Sequence, residues 1–138
     1  MSSVPPTSLY LHQEQFDQVV EHLQSVWPEE GCGLLAGIAG ETHRVLPITN
    51  IFHSRNRFRM DPEQQVTSML AIREAGMQLV GIFHSHPHGP AQPSTIDMLE
   101  AAYPEAAYLV FWFEKAKWNA TAYSIQDGGL AEMELVIT

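Results

Sequence analysis

The chain has 138 residues, 45% of them hydrophobic and 17% charged, which suits one domain with a real core but not two ordinary ones. Sixteen acidic residues against seven Lys and Arg give a formal charge of −9, which argues against nucleic acid or an anionic membrane as partner, since binding either means neutralising phosphates. No apolar run is long enough to cross a bilayer, MSSVPPTS lacks the basic and apolar regions of a secretory signal, and Cys32 stands alone, so the expected setting is the cytoplasm, without disulfides.

In chain order, residues 1–8 are expected to be loose, and Leu9 and Leu11 suggest a short strand. From Gln13 to Trp27 the apolar residues Phe16, Val19, Val20, Leu23, Val26 and Trp27 recur at three and four, which predicts a helix with that face on the core, stopped by Pro28. Cys32 to Ile38 is a glycine-containing apolar strand in which Cys32 is a small buried residue, a redox role being the other option. Ala39-Gly40-Glu41 turns into a strand from Thr42 to Ile48, Asn50 to Ser54 is irregular, and Phe58 to Met60 is extended. Asp61-Pro62-Glu63-Gln64 opens a second helix with an Asp cap and Pro in the first turn; Val66, Met69, Leu70 and Ala75 are assigned inward, and Gly76 ends it.

Leu79 to His84 is the central strand, and Thr95 to Tyr103 a short helix stopped by Pro104. Ala107 to Phe113 and Trp118 to Ser124 form a hairpin, and Met133 to Ile137 is the last strand after Asp127-Gly128-Gly129. These patterns support a single α/β domain over residues 1–138 with no internal repeat.

The chemistry concentrates in GIFHSHPHGPAQPSTIDML, Gly81 to Leu99. Alternate side chains of a strand share a face, so His84 and His86 can point at one metal ion. Asp97, at the opening of a helix reached through a proline-stiffened loop, is the best third ligand. An N, N, O set leaves tetrahedral zinc one open position, the arrangement of a catalytic site, although iron, cobalt and nickel suit the same donors. The plain alternative is two unligated histidines. Ser94 has two readings as well, a helix cap or a hydrogen-bond donor to substrate. His88 keeps the parity of the pair, but Pro87 and Gly89 break the strand, so it reads as a loop histidine near the substrate. Arg55, Arg57 and Arg59 recur at period two and form either a solvated edge or a basic rail for a carboxylate-bearing substrate.

His84-x-His86, seven residues, Ser94, two residues, Asp97 resembles without a gap the signature of the JAMM (MPN+) zinc metallopeptidases, which include the Mov34/PAD-1-like proteins and prokaryotic JAB proteins. The resemblance spans roughly Glu14 to Val110 and takes in PEEGCGLLAG and RFRMDPE. By position Glu30 matches the family's catalytic glutamate, with Glu29 its competitor.

The resemblance implies a JAMM/MPN domain with a curved, mostly antiparallel sheet flanked by helices, cytidine-deaminase-like, and Zn2+ held by His84, His86 and Asp97 at one sheet end. It implies hydrolysis of an amide or isopeptide bond after the C-terminal Gly-Gly of a ubiquitin-like or sulfur-carrier protein. Zinc-activated water would be the nucleophile, Glu30 the general base and Ser94 the oxyanion donor. A homodimer is compatible with this. The alternatives are a non-catalytic MPN scaffold and a zinc hydrolase of small amide conjugates.

Overall fold

Seven strands and three helices run along residues 6–138, the part of the chain that the structure, a computed structural model, describes. Strand β1 (Ser8–Leu11) leads into helix α1 (Gln13–Val26), which is followed by β2 (Cys32–Ile38) and β3 (Glu41–Ile48). Helix α2 (Pro62–Glu74) precedes β4 (Gln78–Ser85), and helix α3 (Thr95–Glu100) precedes β5 (Ala107–Glu114), β6 (Lys117–Gln126) and β7 (Gly129–Ile137). The expected loose segment falls partly on residues 1–5, outside the described residues; Ser8 is already paired with Glu134.

The strands close into a barrel in the order β1-β3-β2-β4-β5-β6-β7, where the resemblance implied a curved, mostly antiparallel sheet. Antiparallel pairs still dominate, but β4 runs parallel to β5, and β1 runs parallel to both β3 and β7. Leu9 and Leu11 of β1 are completely buried, so a strand of four residues seals the barrel with apolar side chains as well as backbone bonds.

Strand β4 is buried on both faces, which is why its sequence is a continuous apolar run rather than an alternating one. Phe83 packs in the cluster that includes Val19 and Leu23 of α1, whereas Ile82 belongs to the cluster that includes Ile72 of α2. Beside Phe83 the backbone of β2 needs Gly33, because a Cβ there would overlap the Phe83 ring and approach the Leu46 carbonyl to 2.7 Å.

Helix α2 begins as expected, with the Asp61 carboxylate accepting the Glu63 and Gln64 amides. Its inward face differs from expectation: Ile72 is buried, whereas Val66, Leu70 and Ala75 are exposed. Trp27 also leaves the core and meets Phe113, Trp118 and His88 edge-on. Helix α3 stops at Glu100, and Phe58 to Met60 contributes only a bridge from Met60 to Asn50. No helix among the described residues is long and apolar enough to cross a membrane.

Candidate metal centre

At the end of β4, His84 pairs with Cys32 on one side and Val110 on the other, so a paired strand fixes its backbone. His86 lies one residue past the strand, but its amide still reaches the Phe111 carbonyl at 2.8 Å, which keeps both rings on one face. Phe58 stacks on the His84 ring with centroids 4.6 Å apart and holds it in place from the loop side.

The loop after His86 is anchored where Ala91 O accepts the Thr121 and Tyr123 hydroxyls of β6. It delivers Ser94 to the start of α3. There the Ser94 hydroxyl accepts the Asp97 amide at 3.0 Å and the Asp97 carboxylate accepts the Ser94 amide at 2.8 Å. This reciprocal cap aims Asp97 Oδ2 at the histidines, 3.0 Å from His84 Nε2 and 3.1 Å from His86 Nε2.

The two Nε2 atoms are themselves 3.0 Å apart. Neighbouring ligands on a tetrahedral ion with bonds of about 2 Å stand roughly 3.3 Å apart, so the triangle is close to one face of such a polyhedron. Protonation makes the same point. His86 Nδ1 is 2.9 Å from the Pro90 carbonyl, which can only accept, so Nδ1 carries the hydrogen. In neutral His86, Nε2 is then a lone pair facing the lone pairs of Asp97. A positive charge removes that conflict, either a proton on Nε2 or a metal ion between the three donors. Burial opposes charge on both rings, and on His84 it wins, lowering the pKa. On His86 the bond to Asp97 and the nearby carboxylates outweigh burial and raise it, while the same bonds hold Asp97 well below the usual carboxylate range despite its own burial.

Glu30 completes the group. One carboxylate oxygen lies within 4.8 Å of nitrogens of both His84 and His86, and the residue is only 3% exposed. Burial, with Asp97 adding and His86 opposing, pushes its pKa up to about 8. Its Oε1 has no hydrogen-bond partner, an arrangement suited to a carboxylate that handles a solvent proton or a nearby cation. Glu29 points elsewhere, to His53 at 3.2 Å near the surface.

Two residues that the sequence reading passed over hold Glu30 in place. The Ser85 hydroxyl, between the two histidines but on the opposite face, accepts the Gly31 amide at 2.8 Å. Buried Asn50 donates to the Glu30 and Arg57 carbonyls at 2.9 and 3.1 Å and accepts the Phe52 and Arg59 amides at 3.1 and 3.0 Å. All of its hydrogen-bonding capacity is used in tying Glu30 to the arginine loop. The only local hint is a polar Asn two residues past the end of β3, where chain reversals are common.

Residues 12–124 match the family described as prokaryotic homologs of the JAB domain. The chain belongs to this family. The JAB domain is 36% identical over 104 residues to a probable TtuB-protein conjugate cleaving protease of Thermus thermophilus, covering 75% of this chain and 69% of that one. It is 32% identical over 127 residues to the CysO-cysteine peptidase of Mycobacterium tuberculosis, covering 90% and 87%. The solution structure of a Desulfitobacterium hafniense protein superposes with a TM-score of 0.84 at 32% identity, covering 94% of this chain and 92% of that one.

Around the JAB centre the remaining candidates separate. Arg57 and Arg59 line a cavity with His84 and Asp97, Arg57 also pairing with Glu100 at 3.5 Å and lying over Phe52. Arg55 sits in a bend and does not line that cavity, so the three arginines do not form one rail. His88 is exposed and edge-on to Trp27, apart from the ligand triangle. Cys32 is buried and unpaired, with its thiol pKa raised to about 12, chiefly by burial, which makes it a poor nucleophile at neutral pH.

Proposed function

We propose that this JAB domain is a zinc-dependent peptidase that hydrolyses the amide or isopeptide bond after the C-terminal Gly-Gly of a ubiquitin-like or sulfur-carrier protein. The observation that carries the reading is the triangle of His84 Nε2, His86 Nε2 and Asp97 Oδ2 beside a buried carboxylate with an unpartnered oxygen. Zinc held by these three residues would supply Lewis acidity and a water acidified to about pKa 7.

Glu30 takes the proton of the attacking water and returns it to the leaving amine. Its buried position beside the ligand triangle lets the carboxylate keep that proton from bulk solvent between the two steps. Ser94 uses its oxygen to accept the Asp97 amide, which leaves its O–H free to donate to the oxygen that becomes negative as the carbonyl is attacked. Asp97 thus has a partner that also faces the substrate. Arg57 and Arg59 at the neighbouring cavity, with His88 on the loop after His86, are the substrate-contacting residues in this reading.

Support for the substrate class comes from the resemblance and from relatives named for cleaving a TtuB-protein conjugate and a CysO-cysteine compound. The single, buried Cys32 suits a cytoplasmic setting.

The test is metal content together with cleavage of a Gly-Gly-linked ubiquitin-like conjugate. Wild type and Glu30→Gln should each hold about one zinc, and His86→Ala should lose it. Glu30→Gln should lower kcat by roughly 10²- to 10⁴-fold, the usual worth of a general base. Wild type that takes up no zinc would overturn the catalytic reading and leave a binding scaffold. Zinc uptake with cleavage of small amide conjugates only would assign a different substrate class.

A further inference from the structure

Residues 51–59 contain no helix or strand, and apart from half-buried Ser54 and Phe58 their side chains are exposed, so packing alone does not give this loop its shape. Buried Asn50 does. Its Oδ1 accepts the Phe52 and Arg59 amides at 3.1 and 3.0 Å, its Nδ2 donates to the Arg57 carbonyl at 3.1 Å, and its own carbonyl accepts the His53 amide at 3.2 Å. The two half-buried residues are the ones that reach the metal centre. Phe58 stacks on His84, and the Ser54 carbonyl accepts the Glu30 amide at 2.8 Å. With Asn50 Nδ2 also donating to the Glu30 carbonyl at 2.9 Å, both backbone polar groups of Glu30 end on Asn50 and its loop.

We propose that Asn50 is a positioning residue that, by shaping the loop 51–59, sets Glu30 and His84 as one unit, so that the general base and a metal ligand keep a fixed spacing. This rests on the reading of Glu30 as the base of a hydrolase, and it adds a residue that contacts neither metal nor substrate.

Both ends of this link need outside support. Strand pairing fixes the backbone of His84 but not the plane of its ring, and the Phe58 face, 4.6 Å away and inclined by 22°, restricts that plane. Glu30 Oε1 has no hydrogen-bond partner, so the place of the carboxylate follows from where its backbone is held. A shift of about 1 Å in a reacting group can cost on the order of 10²-fold in rate. The next residue, Gly31, is tied separately to β4 through its amide bond to the Ser85 hydroxyl. Loss of Asn50 should therefore loosen Glu30 without detaching β2.

The experiment compares wild type with Phe58→Leu, Phe58→Tyr and Asn50→Asp, the last an isosteric change that keeps the accepted amides but turns a carboxylate oxygen toward the two carbonyls. Asn50→Ala replaces it if the buried charge prevents folding. Amide exchange in the metal-free protein, followed by NMR, reads the link. Phe58→Leu should speed exchange of the Glu30 amide at least tenfold, although Phe58 is not bonded to it, and Asn50→Asp should do the same. Phe58→Tyr, which keeps a ring on His84, should match wild type within twofold. Zinc titration reads the other end. Asn50→Asp should weaken zinc binding at least fivefold in the wild-type background but less than twofold when residue 58 is already Leu, because Asn50 reaches His84 only through that ring. At saturating zinc, Asn50→Asp should lower kcat on a Gly-Gly-linked ubiquitin-like conjugate at least tenfold with KM within twofold. An unchanged Glu30 amide in Phe58→Leu, losses of zinc affinity that simply add, or an unchanged kcat in Asn50→Asp overturns the proposal. If wild type cleaves no conjugate, the hydrolase reading fails, and amide exchange with the zinc titrations still decides whether the loop joins the two groups. If wild type binds no zinc either, the exchange rates alone decide it.

Discussion

A buried carboxyl with no hydrogen-bond partner on one oxygen, as in Glu30, is easier to fold protonated than charged. Its pKa of about 8 in the metal-free fold, against 4.5 ordinarily, therefore makes stability depend on pH. Because the folded value is raised, the unfolded chain releases the proton first. The stabilisation is complete below about 4.5, falls as pH rises, and is gone above about 8. Glu30→Gln removes this dependence. After chelation, urea melts should show the variant gaining on wild type by a few kcal/mol, in order of magnitude, between pH 5 and 9, with little difference between them at pH 4. A stability gap that stays constant with pH would mean that Glu30 is charged throughout. Glu30 was visible in the sequence only through its family match. Its supports were not visible, because Asn50 and Ser85 act through bonds to the Glu30 carbonyl and the Gly31 amide, which folding brings near from 20 and 54 positions away.

Strand β4 sets the ligand geometry, so the element that backs it should matter as much as the ligands. Gly33 lies on β2 opposite Phe83, the residue before His84. In Gly33→Ala the added methyl overlaps the Phe83 ring and the Leu46 carbonyl, and neither a buried ring nor a backbone carbonyl can yield freely. We expect a loss of about 1–3 kcal/mol, as for other overpacked cores, accompanied by weaker zinc binding because His84 moves with its neighbour. Denaturant melts and zinc titration check both; unchanged zinc affinity in a destabilised variant would uncouple the strand from the site. At this scale much could be read in advance. The continuous run LVGIF and the Asp61-Pro62 helix start are local signals, and β4 and α2 follow them. The face of α2 could not be read. Val66, Met69, Leu70 and Ile72 spread around the helix, so periodicity does not say which side meets the sheet. Trp27 misled in a similar way, since it keeps helical spacing yet closes an aromatic cluster just past the last turn of α1.

Closure of the barrel depends on β1 lying parallel to both β3 and β7, and the β1–β7 pairing joins chain segments more than a hundred residues apart. No local pattern announces such contacts, which is why closure of the curved sheet was not legible in the sequence. In the strand order around the barrel, β1 is three places from β4 on one side and four on the other, so the seam stands across the barrel from the ligands. Stability and chemistry should therefore separate there. Leu11 is completely buried in the seam, and Leu11→Ala should cost about 2–5 kcal/mol through lost burial and the cavity left behind. Below its melting temperature the variant should keep wild-type zinc content and a kcat within twofold, because none of the bonds that orient His84, His86, Asp97 or Glu30 passes through β1. Zinc should stabilise wild type and Leu11→Ala by the same increment, since ligand linkage depends only on affinity and free metal concentration. Calorimetry with and without zinc measures that increment. A smaller one in Leu11→Ala would mean that the seam reaches the site through the barrel after all, and that the closed sheet carries strain between its two sides.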